Sequence, residues 1–233
     1  MLKTHTLGLF SAAVLIASAL VSNGVSAQSA TATPAASVGT AYVRIVHASP
    51  DAPAVDVYAD AAVLSPNVKF GDATEFVPVA PGDYTLAIRP AGAAATTKAV
   101  AAVDVHLVDG IAANVLAIGY LNGTGTQALK LVVITSDRSP TVGKARLEII
   151  HAAPKAPTVD ILGNGQPKLT EIKYGKPGAS PLNFDPGTYN LAVVATCSTT
   201  PALIDLPNTA LKADTIYTVI ATTIKTALQS RSY

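Results

Sequence analysis

The sequence has few of the residues on which common scaffolds and binding surfaces depend. It contains no tryptophan and a single cysteine, Cys197, so a disulfide-stabilised scaffold is excluded. Asp, Glu, Lys and Arg make up only 13% of the chain, and the formal net charge is +1. A nucleic-acid or anionic-membrane surface needs a concentrated basic patch, and no Lys/Arg cluster occurs. We therefore expect neither nucleic acid nor a membrane surface as a partner.

Common catalytic motifs are absent as well. The sequence has no Gly-x-Ser-x-Gly of a serine hydrolase, no His-Glu-x-x-His of a zinc protease and no glycine-rich phosphate loop. No histidine lies near Cys197 in sequence, so we expect a small buried residue there, with an exposed thiol that links two chains as the alternative. The sequence thus predicts neither an enzyme nor a bound cofactor.

The N-terminus has the layout of a secretory signal peptide. A basic start at Lys3 precedes an apolar stretch, residues 7–21, and small residues come just before Gln28. The stretch is shorter than the roughly 20 residues that span a membrane, so cleavage is favoured over retention as an anchor. We expect a signal peptide over 1–27, a flexible Ala/Ser/Thr/Pro-rich leader over 28–40, and a secreted or cell-surface protein.

The rest of the chain carries one pattern twice. HASPDAPAVDVY, which starts at His47, recurs as HAAPKAPTVDIL, which starts at His151. Each is followed by an aromatic-glycine turn (VKFG, then IKYG) and by a Pro-Gly strand (PGDYTLAI, then PGTYNLAV). Such a long period is not that of a solenoid, so each copy should be a complete domain. We predict one domain over 41–139 and a second over 140–233.

Apolar residues within each copy alternate as they do in β-strands. The stretch 42–47, YVRIVH, places Val, Ile and His on one face, and further β-branched runs are separated by Pro-Gly and Asn-Gly turns. Tyr84 and Tyr189, near the start of their strands, should bond through their hydroxyl groups to the preceding loop. Residues 202–214 are compatible with a short helical turn. The pattern predicts an all-β fold: two tandem antiparallel β-sandwiches of the immunoglobulin-like or prealbumin-like kind.

These motifs resemble the DUF4397 family of exported bacterial proteins. The mark of the family is a strand that ends in VxHASPDAPxVDVY, then an FG turn and a GxYxL strand. The first copy reads VRIVHASPDAPAVDVY, KFG and PGDYTL, and the second keeps the pattern with Lys155 in place of Asp51. The resemblance implies a secreted or surface β-sandwich module, often in tandem, with no defined role and no catalytic residues to assign.

His47 and His151 are the first candidate site residues. Each ends a strand on its apolar face, before a loop whose two prolines cannot donate hydrogen bonds. The structural interpretation is that the ring nitrogens bond to backbone groups of this loop. The functional alternative is a metal ligand or general base, with Asp56 or Asp160 as its partner. A metal needs three or four ligands, and the copies share only one His and one Asp, so we expect no metal site.

Asp51, Asp56 and Asp160 are the acidic candidates. The last two alternate with apolar residues expected in the core, which predicts a hydrogen bond that organises a nearby loop. A charge pair with Lys69 or Lys173 is the alternative. Asp51 occurs in the first copy only, and the oxygen ligands around it are too few to favour calcium.

The sequence favours a non-enzymatic secreted or cell-surface protein. Two duplicated sandwiches of low charge suit surface association, self-assembly or the binding of an extracellular polymer such as a cell-wall glycan. Open edge strands of sandwiches can pair with neighbours unless proline or charge protects them. The alternative is a metal-dependent binding protein or a hydrolase that uses the repeated His/Asp pairs.

Overall fold

A computed structural model describes residues 39–178, 182–222 and 226–232. Within these ranges, all regular structure is β-strand apart from a 3-10 turn at Gly125–Gln127. The predicted signal peptide, 1–27, lies outside the described residues, as does the leader up to residue 38. The described residues form no helix that is long and apolar enough to cross a membrane.

The first sandwich is built from two four-stranded sheets. Its strands are β1 (Ala41–Ala48), β2 (Val55–Ala59), β3 (Ala62–Val68), β4 (Val77–Val79), β5 (Gly82–Pro90), β6 (Ala101–Leu107), β7 (Ile111–Ile118) and β8 (Lys130–Asp137). One sheet has the order β4-β1-β7-β8 and the other β3-β2-β5-β6. The β1–β7 pair is parallel, whereas the other ladders of this sandwich are antiparallel.

The second sandwich repeats this arrangement. Its strands are β9 (Ala145–His151), β10 (Val159–Gly163), β11 (Gln166–Ile172), β12 (Leu182–Phe184), β13 (Gly187–Ala195), β14 (Ile204–Leu211), β15 (Thr215–Ala221) and β16 (Thr226–Ser232). The sheet orders are β12-β9-β15-β16 and β11-β10-β13-β14, and β9 pairs with β15 in parallel. The predicted all-β fold of two sandwiches is confirmed. The helical turn expected at 202–214 is wrong, because that segment pairs with β13 as strand β14.

Each sandwich has its own apolar core, built from residues at matching positions. Strand β1 contributes Val43 and Ile45 to the first core, and β9 contributes Leu147 and Ile149 to the second. The facing sheets supply Val57, Leu86 and Ile88 in the first core and Ile161, Leu191 and Val193 in the second. The alternation in the sequence therefore places the core as expected.

Two tyrosines near the starts of β5 and β13 hold the loops that precede these strands. The Tyr84 hydroxyl donates to the carbonyl of Ala80 at 2.8 Å, and the Tyr189 hydroxyl donates to the carbonyl of Asp185 at 3.0 Å. Both rings pack against the core of their own sandwich. The predicted bond from each hydroxyl to the preceding loop is present in both copies.

The two sandwiches pack against each other through the outer faces of the β1–β7 and β9–β15 pairs. Residues on both faces of these strands are buried, as in a sheet that is covered on both sides. The contact is formed by buried aliphatic residues, several of them at matching positions: Val46, Ala48, Leu116, Ile118, Ile150, Ala152 and Ile220. Burial of a large aliphatic side chain stabilises a fold by about 1.5–3 kcal/mol, so this contact couples the folding of the two sandwiches.

Polar contacts surround this apolar interface. The Gln127 side-chain amide donates to the carbonyl of Pro154 at 3.1 Å. The Lys130 ammonium lies 5.2 Å from the ring centre of Tyr174 in the other sandwich. A second lysine, Lys155, lies equally close to the ring of Tyr120. Cations within about 6 Å of an aromatic face are attracted to it, so both lysines add to the contact.

Ile150→Ala tests the interface between the sandwiches. The side chain is 2% exposed and faces the other sandwich, so its truncation should lower the free energy of unfolding by about 2–5 kcal/mol. Urea denaturation followed by circular dichroism measures the change. Val142→Ala is the control, because Val142 is 89% exposed and its truncation should cost less than about 0.5 kcal/mol. Equal, small effects of both changes would show that Ile150 is exposed and the interface unformed.

Candidate functional site

The His47 ring is fully buried at the end of β1, and both of its nitrogens bond to the loop that follows. The Ser49 amide donates to Nδ1 at 3.3 Å, and Nε2 lies 3.0 Å from the carbonyl oxygen of Pro53. Since Nδ1 accepts a hydrogen bond, the ring proton belongs on Nε2, which donates to Pro53. The ring is therefore held as one neutral tautomer.

His151 makes the same contacts in the second copy. The Ala153 amide donates to Nδ1 at 3.3 Å, and Nε2 lies 2.9 Å from the carbonyl oxygen of Pro157. Burial lowers the pKa of His47 and His151 below the usual 6.5, because it disfavours the charged ring. Each histidine supplies the N–H donor that the proline-rich loop lacks.

The Asp56 carboxylate holds two backbone amides that lie far apart in sequence. The Asn67 amide donates to Oδ1 at 2.7 Å, and the Gly92 amide donates to Oδ2 at 2.8 Å. Asn67 lies at a β-bulge of β3 with φ 51°, and Gly92 lies after β5 with φ 76°. Both positions need the left-handed conformation, which Asn and Gly adopt most readily.

Asp160 holds the equivalent positions in the second copy. It accepts from the Glu171 amide at 2.8 Å, the Thr196 hydroxyl at 2.9 Å and the Cys197 amide at 3.2 Å. Burial alone would raise the pKa of Asp160, but these hydrogen bonds outweigh it and hold the pKa below its usual value. Cys197 is exposed, so the expectation of a buried cysteine is wrong. Glu171 and Cys197 both have positive φ, 58° and 65°.

Asp51 organises the connection between β7 and β8. Its Oδ1 accepts from the Leu121 amide at 2.7 Å, and its Oδ2 lies 3.5 Å from the Asn122 amide. In the second copy Lys155 stands at this position, and its ammonium lies over the Tyr120 ring of the first sandwich. The one position of the motif that differs in charge therefore has two roles: Asp51 binds a loop of its own sandwich, and Lys155 contacts the other sandwich.

The structure does not join the histidines to the aspartates. Both nitrogens of His47 and both oxygens of Asp56 are bonded to backbone groups, and the same holds for His151 and Asp160. The alternative ion pairs are not formed either, since the carboxylates bond to amides and the two lysines, at 69 and 173, are exposed. In the described part of the chain, no group of three or more His, Cys, Asp or Glu could hold a metal ion.

Two concavities of the described residues bear on a binding role, and His151 lines the second of them. One, of about 460 Å³, opens on the outer face of the β5–β6 pair and is lined by Asp60, Asp83, Tyr84, Thr85, Asp104, Val105 and His106. The other, of about 280 Å³, lies at one end of the second sandwich and is mostly apolar. The sequence reasoning missed both. Alternate polar residues along β6 were the available signal for the first, and the second depends on contacts between distant strands.

The chain matches one known family. The family model described as a domain of unknown function, DUF4397, matches residues 41–162 and again residues 145–231. The two matches overlap around the motif of the second copy. No curated protein matches the chain.

The buried histidines should make stability fall in mild acid. Their pKa values are lowered in the folded chain, so the unfolded chain binds more protons below pH 6.5 and folding weakens as the pH falls from there. Well above pH 6.5, where the unfolded histidines are neutral as well, they should contribute no pH dependence. Each one can add up to about 1.4 kcal/mol of destabilisation per pH unit. Urea denaturation at a series of pH values from 8 to 5 measures the slope.

His47→Gln provides the matched comparison for this slope, because glutamine can donate to the Pro53 carbonyl but does not titrate. The free energy of unfolding of the variant should fall less steeply with decreasing pH than that of the parent, because one of the two buried histidines no longer contributes. Asp160 affects stability in a different pH range. Because its pKa is lowered in the folded chain, the ionised carboxylate stabilises the fold above pH 3.8, and this stabilisation is lost at lower pH. A parent protein whose stability is constant from pH 8 to 5 would contradict the buried neutral rings.

Residues with positive φ in the second copy should gain from replacement by their counterparts in the first. Glu171→Asn and Cys197→Gly should each raise the free energy of unfolding by about 0.5–1 kcal/mol, since Asn and Gly adopt the left-handed conformation with less strain. The reverse exchanges, Asn67→Glu and Gly92→Cys, are the controls and should lower it by a similar amount. Urea denaturation gives all four values, and opposite signs would refute the strain argument.

Proposed function

This chain belongs to the DUF4397 family, with two copies of its domain, and we propose that it is a non-enzymatic module that acts outside the cell by binding an extracellular polymer. The export pattern at the N-terminus supports the location. The polar concavity of the first sandwich, a site rich in hydrogen-bonding groups, is the observation that carries the binding role. A cell-wall glycan is the polymer class that its chemistry fits best.

The hydrogen bonds of the repeated motif argue against catalysis. A general base needs a free nitrogen or oxygen within reach of a substrate. The ring nitrogens of His47 and His151 are occupied by the backbone of their own loops, and both rings are buried. The carboxylates of Asp56 and Asp160 are likewise bonded to backbone amides. These contacts favour a structural role for the motif over hydrolysis.

The polar concavity presents groups that suit a hydroxyl-rich ligand. On its surface, Asp83 Oδ1 lies 2.6 Å from His106 Nδ1, and the Thr85 hydroxyl donates to Asp104 at 2.7 Å. The side chains of Asp83 and His106 are 88% and 65% exposed. Carboxylates accept hydrogen bonds from sugar hydroxyls, while a ring nitrogen or a hydroxyl group can donate to them. Neighbouring donors and acceptors of this kind recognise vicinal hydroxyls.

The second sandwich does not repeat this polar surface. Thr188 occupies the register position of Asp83, and Asn190 that of Thr85. The acidic groups therefore belong to the first copy, although the underlying strands are the same. A group needed only to hold the fold would be expected in both copies, so this difference supports a binding role for the first.

Five of the edge strands are protected against pairing between copies of the chain. Edge strands β4 and β12 have only three residues each. Three further edge strands, β3, β11 and β14, contain Pro66, Pro167 and Pro207, which cannot donate to an added strand. Short strands and proline are the protections that prevent edge-to-edge pairing. Strand addition between copies is correspondingly disfavoured at these edges.

Sedimentation with insoluble cell-wall glycan tests the proposed function. The protein should pellet with the glycan in a saturable manner, and Asp83→Ala combined with His106→Ala should weaken retention at least tenfold. Because both side chains are exposed, the thermal midpoint should be unchanged. Analytical ultracentrifugation of the same samples should show a monomer.

Thr188→Ala is the matched control, since it alters the equivalent position of the second sandwich and should leave retention unchanged. A protein that pellets with no glycan would argue against the proposal. If the variant with both Asp83→Ala and His106→Ala is retained as well as the parent, the polar concavity is not the glycan-binding site. Metal-dependent retention, abolished by a chelator, would favour the alternative of a metal-dependent binding protein.

A further inference from the structure

The second sandwich contains an apolar pocket of about 280 Å³ at the end where its motif loop lies. Its lining is His151, Ala153, Ala156, Pro157, Val159, Val193, Leu203, Ile204, Ala221 and Thr222. Leu203 at the mouth is 49% exposed. The pocket is separate from the polar concavity of the first sandwich and uses none of its residues.

The first sandwich has core residues at the positions that correspond to this pocket. Val55, Ile88, Ala101 and Ala117 occupy the register positions of Val159, Val193, Ile204 and Ala221. Three of them, Val55, Ile88 and Ala117, belong to a core cluster that also contains Leu131. Ala101 and Leu129 pack against that cluster. Both leucines come from the β7–β8 connection and the start of β8.

At the register position of Leu131, the second copy has a threonine. Leu131 pairs with Ala117 across the β7–β8 ladder, whereas Thr226 pairs with Ala221 across the β15–β16 ladder. The β7–β8 connection runs over residues 119–129 and includes Leu129, but the β15–β16 connection consists of residues 222–225. The connection between the last two strands is thus shorter in the second copy, and Lys155 replaces the Asp51 that holds it in the first.

We infer that this pocket binds an uncharged aliphatic chain from a small-molecule ligand. The lining is aliphatic except for His151 and Thr222, and the His151 ring is neutral with both nitrogens engaged. No Lys or Arg is among the described residues that line the pocket, so these residues offer no partner for an anionic head group. Apolar cavities of about 150 Å³ already bind small hydrocarbons.

Titration with n-octanol, followed by methyl NMR, tests the inference. Saturable shifts should be confined to the methyl groups of Val159, Val193, Leu203 and Ile204, with none at Val55 or Ile88. Octanoate at pH 8 should bind at least tenfold more weakly than octanol. Octanoate that binds as tightly would contradict an uncharged ligand, and equal shifts in both sandwiches would contradict a site in the second copy.

Thr226→Leu restores the leucine of the first copy and should weaken octanol binding at least tenfold, with a thermal midpoint that is equal or higher. Ala156→Leu at the pocket wall is a second closing variant. Val142→Ser, at an exposed residue outside the pocket, is the control and should leave binding unchanged. Octanol binding that survives both closing variants would overturn the inference. Glycan retention does not involve this pocket, so either proposal can fail without the other.

Discussion

The shortage of backbone donors in the proline-rich motif loops is the constraint on which the rest of the motif depends. Two prolines in each loop cannot donate, so a carbonyl beside the end of β1 or β9 needs a donor from elsewhere. His47 and His151 supply it from fully buried rings, and each ring accepts a loop amide in return. A buried group left without its partner costs about 1–3 kcal/mol, which is reason enough to keep the histidine without any catalytic role.

The two copies share the hydrogen bonds within each sandwich and differ in residues on the surface of each sandwich. Both copies retain the bonds of the histidine, of the aspartate in VDV or VDI, and of the strand-entry tyrosine. They differ at Asp51 and Lys155, where a loop anchor in one copy is an interface cation in the other. The polar concavity occurs on one sandwich and the apolar pocket on the other. Two similar scaffolds therefore present two different surfaces, one polar and one apolar.

Features set by local chemistry could be predicted from the sequence, and those set by long-range packing could not. Alternation, Pro-Gly turns and the prolines of the motif predict the strands, the tyrosine bonds and the backbone partners of the histidines. The parallel β1–β7 pair and the interface at Val46 and Leu116 depend on which faces meet, and an isolated strand carries no such information. Glu171 and Cys197 are residue types that rarely adopt positive φ, so the sequence does not predict the bulge at the first or the turn at the second. The Cys197 error has the same origin: a small apolar residue predicts burial, whereas the turn exposes it.

The protonation state of the two buried rings tests the central claim most directly. Nitrogen-15 NMR of histidine-labelled protein at pH 7 should show Nε2 protonated and Nδ1 unprotonated for both His47 and His151, because each Nδ1 accepts an amide hydrogen bond. On acidification, both rings should remain neutral at pH values where a free histidine is charged, since burial lowers their pKa. Added zinc should leave all four nitrogen shifts unchanged. A ring that is charged at pH 7, or whose nitrogen shifts move when zinc binds, would contradict the structural role of the motif.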